Sequence, residues 1–118
     1  MPVNLFIYGT LMRGQPRHSA LRLQTFVAEV RTAPDYRLFN TGTYPALVEA
    51  PDGRLIEGEL WMVSDACLNA LDRIEGVAEG LYERRTVALL PPHNGLNAEA
   101  YFYLHSTQDF PDCGTRWT

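Results

Sequence analysis

Short apolar stretches separated by turn-forming residues run through the whole chain, and they predict strands more often than helices. Most are rich in β-branched and aromatic residues, which favour a pleated sheet. Residues 55–63 show the pattern most clearly, because polar and apolar side chains alternate there and leave one polar face. The predicted strands are residues 3–8, 25–31, 36–39, 46–49, 55–63, 82–90 and 98–105.

One segment, residues 65–75, has the apolar spacing of an amphipathic helix. Ser64 is suited to cap its amino end, and Gly76 is suited to end it. The remaining segments are predicted as loops at 9–19 and 40–45, a helical turn at 20–24, a tight turn at 51–53 and an irregular stretch at 109–118. Many strands with one clear helix predict an α+β domain whose sheet curls around or packs against that helix.

The two faces of this helix follow from placing successive residues about 100° apart. The predicted core-facing residues are Cys67, Leu68, Leu71 and Ile74, and the predicted solvent-facing residues are Asp65, Asn69, Asp72 and Arg73. With Leu68 set to zero, Glu75 falls at about 340°, between Leu68 and Leu71. The helix therefore directs one carboxyl group, that of Glu75, towards the interior.

An interior position in the last helical turn makes Glu75 a candidate general base and acid. Burial and the negative end of the helix dipole both disfavour the ionised carboxyl, so they raise its pKa towards neutral pH. Two structural alternatives stay open. The helix could end before Glu75 and release the side chain to water, or the carboxylate could pair with Arg73 or Arg84.

The second candidate site is the step from the first strand into the following loop, Tyr8-Gly9-Thr10-Leu11. A glycine directly after a buried strand lets the backbone turn tightly and present consecutive N–H groups to an anion or an oxyanion. A branched side chain at Gly9 is expected to crowd such a ligand and to harm binding more than folding. The alternative is a simple tight turn. A phosphate-binding loop is excluded, because Gln15 stands where that motif requires lysine.

Length and charge exclude several classes of protein. The chain has 118 residues with 46% hydrophobic residues, and a single domain covering residues 1–118 is expected. Ten basic against 14 acidic residues give a net charge of −4, which argues against a nucleic-acid partner or an anionic membrane. All ten basic residues are arginine. Lysine chemistry, such as a Schiff base or a Ser-Lys dyad, is therefore excluded.

Cysteine and histidine positions offer no further chemistry. Cys67 and Cys113 lie far apart and do not form a disulfide framework, and His18, His93 and His105 lack the spacing of metal ligands, so no metal site is expected. The amino-terminal residues lack the pattern of a secretion signal, and no apolar run approaches the ~18 residues of a membrane span. A cytoplasmic protein without membrane association is expected.

Six segments, in order along the chain, resemble the gamma-glutamylcyclotransferase superfamily and most closely its gamma-glutamylamine cyclotransferase branch. They are Phe6-Ile7-Tyr8-Gly9-Thr10-Leu11, Arg13-Gly14-Gln15-Pro16 with His18, Tyr44-Pro45-Ala46-Leu47-Val48, Leu55-Ile56-Glu57-Gly58-Glu59-Leu60, Leu71-Asp72-Arg73-Ile74-Glu75 and Tyr82-Glu83-Arg84-Arg85. The resemblance implies a small α+β fold with a mixed, barrel-like sheet. It also implies release of a gamma-glutamyl group as 5-oxoproline, without a metal or an organic cofactor.

By this resemblance, residues 8–11 form the substrate-binding loop and Glu75 is the acid/base residue; Tyr44, Tyr82 and Tyr103 are expected as pocket walls. The expected partner is a small gamma-glutamyl amine, cleaved by intramolecular attack of its α-amino group. Two alternatives remain. One is a cyclotransferase for gamma-glutamyl dipeptides, glutathione or a related metabolite, and the other is a non-catalytic ligand-binding domain of the same fold. The sequence gives no indication of oligomeric state.

Overall fold

A five-stranded sheet forms the framework of the protein in the computed structural model, which describes residues 2–117. The strands within this range are β1 (Val3–Ile7), β2 (Thr25–Arg31), β3 (Tyr36–Asn40), β4 (Pro45–Glu49), β5 (Glu57–Val63), β6 (Tyr82–Val87) and β7 (Ala98–Tyr103). Their order in the large sheet is β2-β5-β1-β7-β6, while β3 and β4 form a separate antiparallel pair. The helices are α1 (Asp65–Ile74) and a 3₁₀ helix, η1 (His18–Leu21).

The central strand β1 is buried on both faces, which explains its continuous apolar run. It pairs with β5 in antiparallel and with β7 in parallel orientation. Its side chains alternate between two hydrophobic clusters. Leu5 and Ile7 pack in one cluster with Leu71 of α1, and Phe6 packs in the other with Leu47 of β4. The helix and the β3–β4 pair therefore cover opposite faces of the large sheet, and β1 carries the chain between them.

The mixed α+β class is confirmed, but the sheet is not a closed barrel. The strands β2 and β6 are its two edges. The segments that continue these edge strands meet at one corner, through a bridge between Thr32 and Leu89 and hydrogen bonds from Ala33 N–H to Ala88 O (2.9 Å) and from Leu90 N–H to Arg31 O (2.8 Å). The expected barrel-like curl is therefore present at that corner only, and the rest of the sheet stays open.

The helix begins and ends close to the predicted limits. The Ser64 side chain accepts a hydrogen bond from Cys67 N–H at the amino end, and Glu75 is the carboxy-terminal cap residue. Leu68 and Leu71 are buried as predicted, whereas Ile74 is 41% exposed, so its prediction as a core residue was wrong. Ile74 lies in the last turn, where α1 has already passed the edge of the apolar cluster.

The carboxy-terminal segment predicted as irregular lacks regular structure but is tied to the sheet. Cys113 N–H donates to Leu38 O (2.7 Å), and Asn40 N–H donates to Pro111 O (2.9 Å). Glu57 N–H of β5 also donates to the backbone oxygen of Thr115 (2.7 Å). Residue 118 lies outside the described range. Within residues 2–117, the structure contains no helix long and apolar enough to cross a membrane.

Candidate active site

A small cavity, open to solvent, lies where β1 ends, beside the carboxy-terminal end of α1 and the start of β4. Seven of the eight residues predicted for the site line it: Tyr8, Gly9, Thr10, Leu11, Tyr44, Glu75 and Tyr82. Tyr103, also expected as a pocket wall, is not among the lining residues; its ring packs against that of Tyr82 instead. The sequence analysis missed four more lining residues, which are Phe6, Ile7, Pro45 and Tyr101. Tyr101 belongs to a run of aromatic residues in β7, a pattern that shows alternation but not which side faces a cavity. The fold thus brings these predicted residues together from the segment after β1, from β6, from the segment before β4 and from the end of α1.

Glu75 contributes the carboxyl group of the cavity. Its backbone N–H donates to Leu71 O (2.8 Å), so the helical geometry extends to this residue and orients the side chain inward. Burial raises the pKa of this carboxyl from 4.5 to about 7, and the positive charge of Arg17 reduces the rise. Within residues 2–117 the carboxylate has no ion pair, and Arg84 bonds other carboxylates. Both alternatives considered for Glu75, fraying into water and an arginine pair, are therefore absent from this part of the chain.

The loop of Gly9, Thr10 and Leu11 has all three of its carbonyl groups occupied. Gly9 O accepts from Met12 N–H (3.0 Å), Thr10 O accepts from Arg17 N–H (2.8 Å), and Leu11 O accepts from the His18 ring at Nδ1 (3.0 Å). The three amides of the same residues donate none of the hydrogen bonds found outside helices and strands in residues 2–117. The loop is therefore fixed through its acceptors, and its donors are available to a ligand in the cavity.

Tyrosine hydroxyls fix two walls of the cavity. Tyr8 Oη donates to Tyr101 O (2.6 Å), and Tyr82 Oη donates to Pro45 O (2.6 Å). The rings of Tyr44 and Tyr82 lie 6.0 Å apart. Burial raises the pKa of the Tyr8 and Tyr82 hydroxyls well above their ordinary value, and nearby ionisable groups add to the rise. Both phenols therefore stay protonated and serve as rigid, hydrogen-bonded walls.

Asp72, predicted to face solvent, instead joins α1 to the sheet, so that prediction was wrong. Its carboxylate accepts from Arg84 Nε (2.8 Å) and from the Tyr101 hydroxyl (2.6 Å), and Arg84 also donates to Glu99 (2.7 Å). The reason is that strands β6 and β7 lie alongside the helix and supply polar partners to its flank. This network, which we call the Asp72 clamp (Asp72, Arg84, Glu99 and Tyr101), holds the helix one turn before Glu75.

Glycine is required at position 9 because its backbone lies close to Pro45, whereas the sequence analysis expected it to lie close to a ligand. A Cβ atom on Gly9 would lie 2.3 Å from Cγ and 2.8 Å from Cδ of Pro45. Pro45 is buried at the start of β4, and its ring cannot move aside easily. The reasoning that a side chain at Gly9 would chiefly crowd a ligand was therefore wrong. The side chain would also push β4 away from the loop and cost stability.

The two cysteines, Cys67 and Cys113, are free, and in residues 2–117 no three His, Cys, Asp or Glu side chains come together as possible metal ligands. The groups that face the cavity are a carboxyl, main-chain amides and aromatic rings. This combination suits recognition of a small polar molecule, with a single titratable group placed to exchange a proton.

Relatives of known family share both the sequence and the fold. The profile of the family described as Gamma-glutamyl cyclotransferase, AIG2-like matches residues 5–118. A putative gamma-glutamylcyclotransferase of Vibrio cholerae is 35% identical over 83 residues, which are 70% of this chain and 70% of that protein. A gamma-glutamylaminecyclotransferase A of Danio rerio is 33% identical over 119 residues, which cover 93% of this chain and 73% of the relative.

The human gamma-glutamylaminecyclotransferase is 41% identical over 88 residues, covering 68% of this chain but only 57% of the human protein. Among solved structures, an AIG2-like protein from Mus musculus matches with a TM-score of 0.72 and 26% identity, over 97% of this chain and 87% of that chain. YkqA from Bacillus subtilis matches with a TM-score of 0.80 and 26% identity, over 99% of this chain and 40% of that chain. With its profile match and its relatives agreeing, this chain belongs to the gamma-glutamyl cyclotransferase, AIG2-like family.

Proposed function

We propose that the chain is a gamma-glutamylcyclotransferase that releases 5-oxoproline and a free amine from a gamma-glutamyl amine. The observation that carries the proposal is the Glu75 carboxyl, which burial holds at a pKa of about 7 inside a cavity bordered by the Gly9–Leu11 loop. Membership of the family supports the reaction class, and the names of the human and zebrafish relatives support an amine as the leaving group. We further propose that residues 1–118 act as one domain.

Substrate binding uses the loop that follows β1. The free amides of Gly9, Thr10 and Leu11 receive an anionic group of the substrate, either its α-carboxylate or the oxyanion that forms at the γ-carbonyl. Tyr8 and Tyr82, held by their hydroxyl hydrogen bonds, bound the space in which the glutamyl chain folds. Holding the chain folded is itself catalytic, because the reacting atoms belong to the same molecule.

Glu75 transfers the proton in both steps of the reaction. As a carboxylate it removes a proton from the substrate α-ammonium group, and its raised pKa makes it a stronger base for this transfer than an ordinary carboxylate. The freed amine nitrogen attacks the γ-carbonyl carbon, and a five-membered ring closes. The protonated Glu75 then gives its proton to the nitrogen of the departing amine as the carbon–nitrogen bond breaks. The ring nitrogen still carries two hydrogens at this point, so Glu75 takes one of them and passes it to the freed amine, which leaves as an ammonium ion. Glu75 ends as a carboxylate, ready for the next turnover.

A substrate panel tests the proposal. The purified protein is incubated with gamma-glutamyl amines, gamma-glutamyl dipeptides and glutathione, and 5-oxoproline release is measured. We expect release from the amines, and release from dipeptides or glutathione instead would assign the alternative substrate class. Binding of these compounds without any release would contradict the enzymatic proposal and favour a ligand-binding domain.

A further inference from the structure

A buried carboxylate of the large sheet binds the segment that follows the Gly9–Leu11 loop. Glu59 of β5 lies opposite Ile7, the last residue of β1, and its side chain is buried. Its Oε1 atom accepts hydrogen bonds from Arg13 N–H (3.2 Å) and from Trp61 Nε1–H (3.0 Å), and its Oε2 atom accepts one from Arg13 Nε–H (3.0 Å). The main chain and the side chain of Arg13 are therefore bonded to the same carboxylate.

The guanidinium of Arg13 lies between two carboxylates of neighbouring strands. Glu29 of β2 stands directly opposite Glu59 in the sheet, and two like charges in such a pair repel each other. Arg13 Nη2 lies 3.5 Å from Glu29 Oε1, while the guanidinium carbon lies 4.0 Å from the centre of the Phe26 ring. The opposed carboxylates therefore favour a cation between them, and the segment after the loop supplies it.

Two other kinds of contact also shape this part of the chain. Hydrogen bonds between residues of the segment 9–18 fix its internal form, and Leu11 and Met12 pack in the apolar cluster beside α1. Apolar packing has no preferred direction, whereas hydrogen bonds to a charged group are strong and directional. The bonds to Glu59, two residues after Leu11, therefore set the orientation of the loop relative to β5.

We propose that Glu59 is a positioning residue for the Gly9–Leu11 loop and that it acts through Arg13. Its two bonds to Arg13 hold the turn after β1 so that the free amides of the loop face the cavity. Glu59 is not one of the residues that line the cavity, so it does not act on the substrate directly. The effect on turnover rests on the proposed function, whereas the order of the loop can be measured without a substrate.

Glu59→Gln separates the position of the loop from the packing around it. Glutamine has the same shape and can still accept from Trp61 through Oε1, but it turns an NH₂ group towards Arg13 Nε, which is itself a donor. The guanidinium then loses its buried partner and the loop its orientation. Because small displacements of binding groups cost up to about 10²-fold, kcat/KM should fall by about 10–100-fold in the folded variant.

A double-mutant cycle tests whether Glu59 acts through Arg13. The variants Glu59→Gln, Arg13→Gln and the double variant are compared by kcat/KM for 5-oxoproline release, with the gamma-glutamyl amine that wild type turns over fastest and at a temperature at which all are folded. Each single variant should lose activity by a similar factor, and the double variant should be no worse. Arg13→Gln changes an exposed residue and carries the test alone if Glu59→Gln does not fold.

Two controls separate positioning from a general loss of stability. Glu49→Gln makes the same chemical change in β4, at an exposed carboxylate that is bonded to Arg85 (2.8 Å), and should keep the wild-type kcat/KM. Leu38→Ala removes a buried side chain of β3 and should lower the melting temperature without lowering kcat/KM. A loss of kcat/KM in Leu38→Ala as large as that in Glu59→Gln would show that the loss reflects stability alone, which would overturn the inference.

Amide hydrogen exchange, measured by NMR without substrate, reports the order of the loop directly. The amides of Met12 and Arg17 close the loop by donating to Gly9 O and Thr10 O, and they should exchange about tenfold faster in Glu59→Gln than in wild type. Unchanged exchange, unchanged kcat/KM, or losses that multiply in the double variant would overturn the inference alone. Failure of folded wild type to release 5-oxoproline would overturn the proposed function, and the exchange rates would then decide whether Glu59 orders the loop.

Discussion

Two carboxylates on the same helix, Asp72 and Glu75, have opposite electrostatic surroundings although they lie three residues apart. Both residues are partly exposed, but the carboxyl of Glu75 is the more deeply enclosed of the two. Burial would raise the pKa of Asp72, but hydrogen bonds from Arg84 and Tyr101 outweigh burial and lower it. Burial raises the pKa of Glu75 to about 7, because no hydrogen bond to its carboxylate from residues 2–117 opposes the rise, and the charge of Arg17 only reduces it. The difference teaches that hydrogen-bonding partners, together with depth, decide which carboxyl is structural and which can exchange a proton.

A third carboxylate supports this interpretation. Glu59 in β5 is only 4% exposed, which makes it the most deeply buried acidic residue within residues 2–117. Burial favours a raised pKa here too, yet hydrogen bonds from Trp61 and Arg13 lower it. Glu59 therefore behaves like Asp72, and a fully bonded carboxylate remains ionised even in the core.

Glu75→Gln is expected to have the largest effect of all, and the effect falls on activity. Glutamine has the same shape but cannot accept the ammonium proton, so kcat for 5-oxoproline release should fall by about 10²–10⁴-fold. The fold should remain intact, as circular dichroism and thermal unfolding will show. A variant that keeps most of its activity would place the proton transfer on another group and remove the distinction between the two carboxylates.

Asp72→Asn is expected to have the opposite effect to Glu75→Gln: it should lower stability strongly and turnover less. The change weakens the bond to Arg84 Nε and leaves part of the guanidinium of Arg84 without its partner. The free energy of unfolding should fall by about 1–3 kcal/mol, measured by denaturant titration. Glu79→Gln removes the same charge from an exposed position and should stay within about 0.5 kcal/mol of wild type. Equal stability of Asp72→Asn and wild type would mean that the Asp72 clamp contributes nothing measurable.

The pH dependence of stability should distinguish the two carboxylates by sign. Glu75 has an ordinary pKa of 4.5 and a folded-state pKa of about 7, so between these values the folded protein holds more protons than the unfolded chain. Its contribution to stability therefore falls as the pH rises from 4.5 to 7 and is constant above that range. The pKa of Asp72 is lowered, so its contribution is lost instead as the pH falls below its ordinary value of 3.8.

Glu75→Gln makes this difference measurable. The variant lacks the titrating group, so it should match wild type in stability below pH 4.5 and become more stable than wild type between 4.5 and 7. Solvent access to the carboxyl reduces the gain to about 1 kcal/mol above pH 7. Denaturant titrations of both proteins from pH 4 to 9 will measure it. A constant difference across this range would show that the Glu75 carboxyl has an ordinary pKa in the folded protein.

Local sequence patterns were sufficient to predict the helix, its buried face and the inward carboxyl. Leu68, Leu71 and Glu75 are fixed by helical spacing, which depends only on neighbouring residues. The same spacing failed for Asp72 and Ile74. The surroundings of Asp72 include Arg84 and Tyr101, 12 and 29 residues further along the chain, and Ile74 passes the limit of the core. The spacing of residues within one helix shows neither which sequence-distant residues its side chains contact nor where the apolar cluster ends.

The site shows the same division. The turn at Gly9 could be predicted from the sequence because a buried strand followed by glycine is a local signal. The contact that makes this glycine necessary, with Pro45, joins segments 36 positions apart, and no spacing rule could indicate it. Whether the sheet stays open or closes into a barrel likewise depends on how the edge strands β2 and β6 lie relative to each other. The twist of all five strands together decides this arrangement.

The burial of β1 on both faces has a consequence for how the protein unfolds. The Gly9–Leu11 loop follows this strand, which pairs with β5 along its whole length and with β7 at Asn4 and Leu5, between apolar layers above and below. Such a strand exchanges its amide hydrogens with water only when the whole domain opens. The strand that holds the loop is therefore not expected to unfold separately from the rest of the molecule. We therefore expect the candidate site and the fold to be lost together on heating, in one cooperative transition.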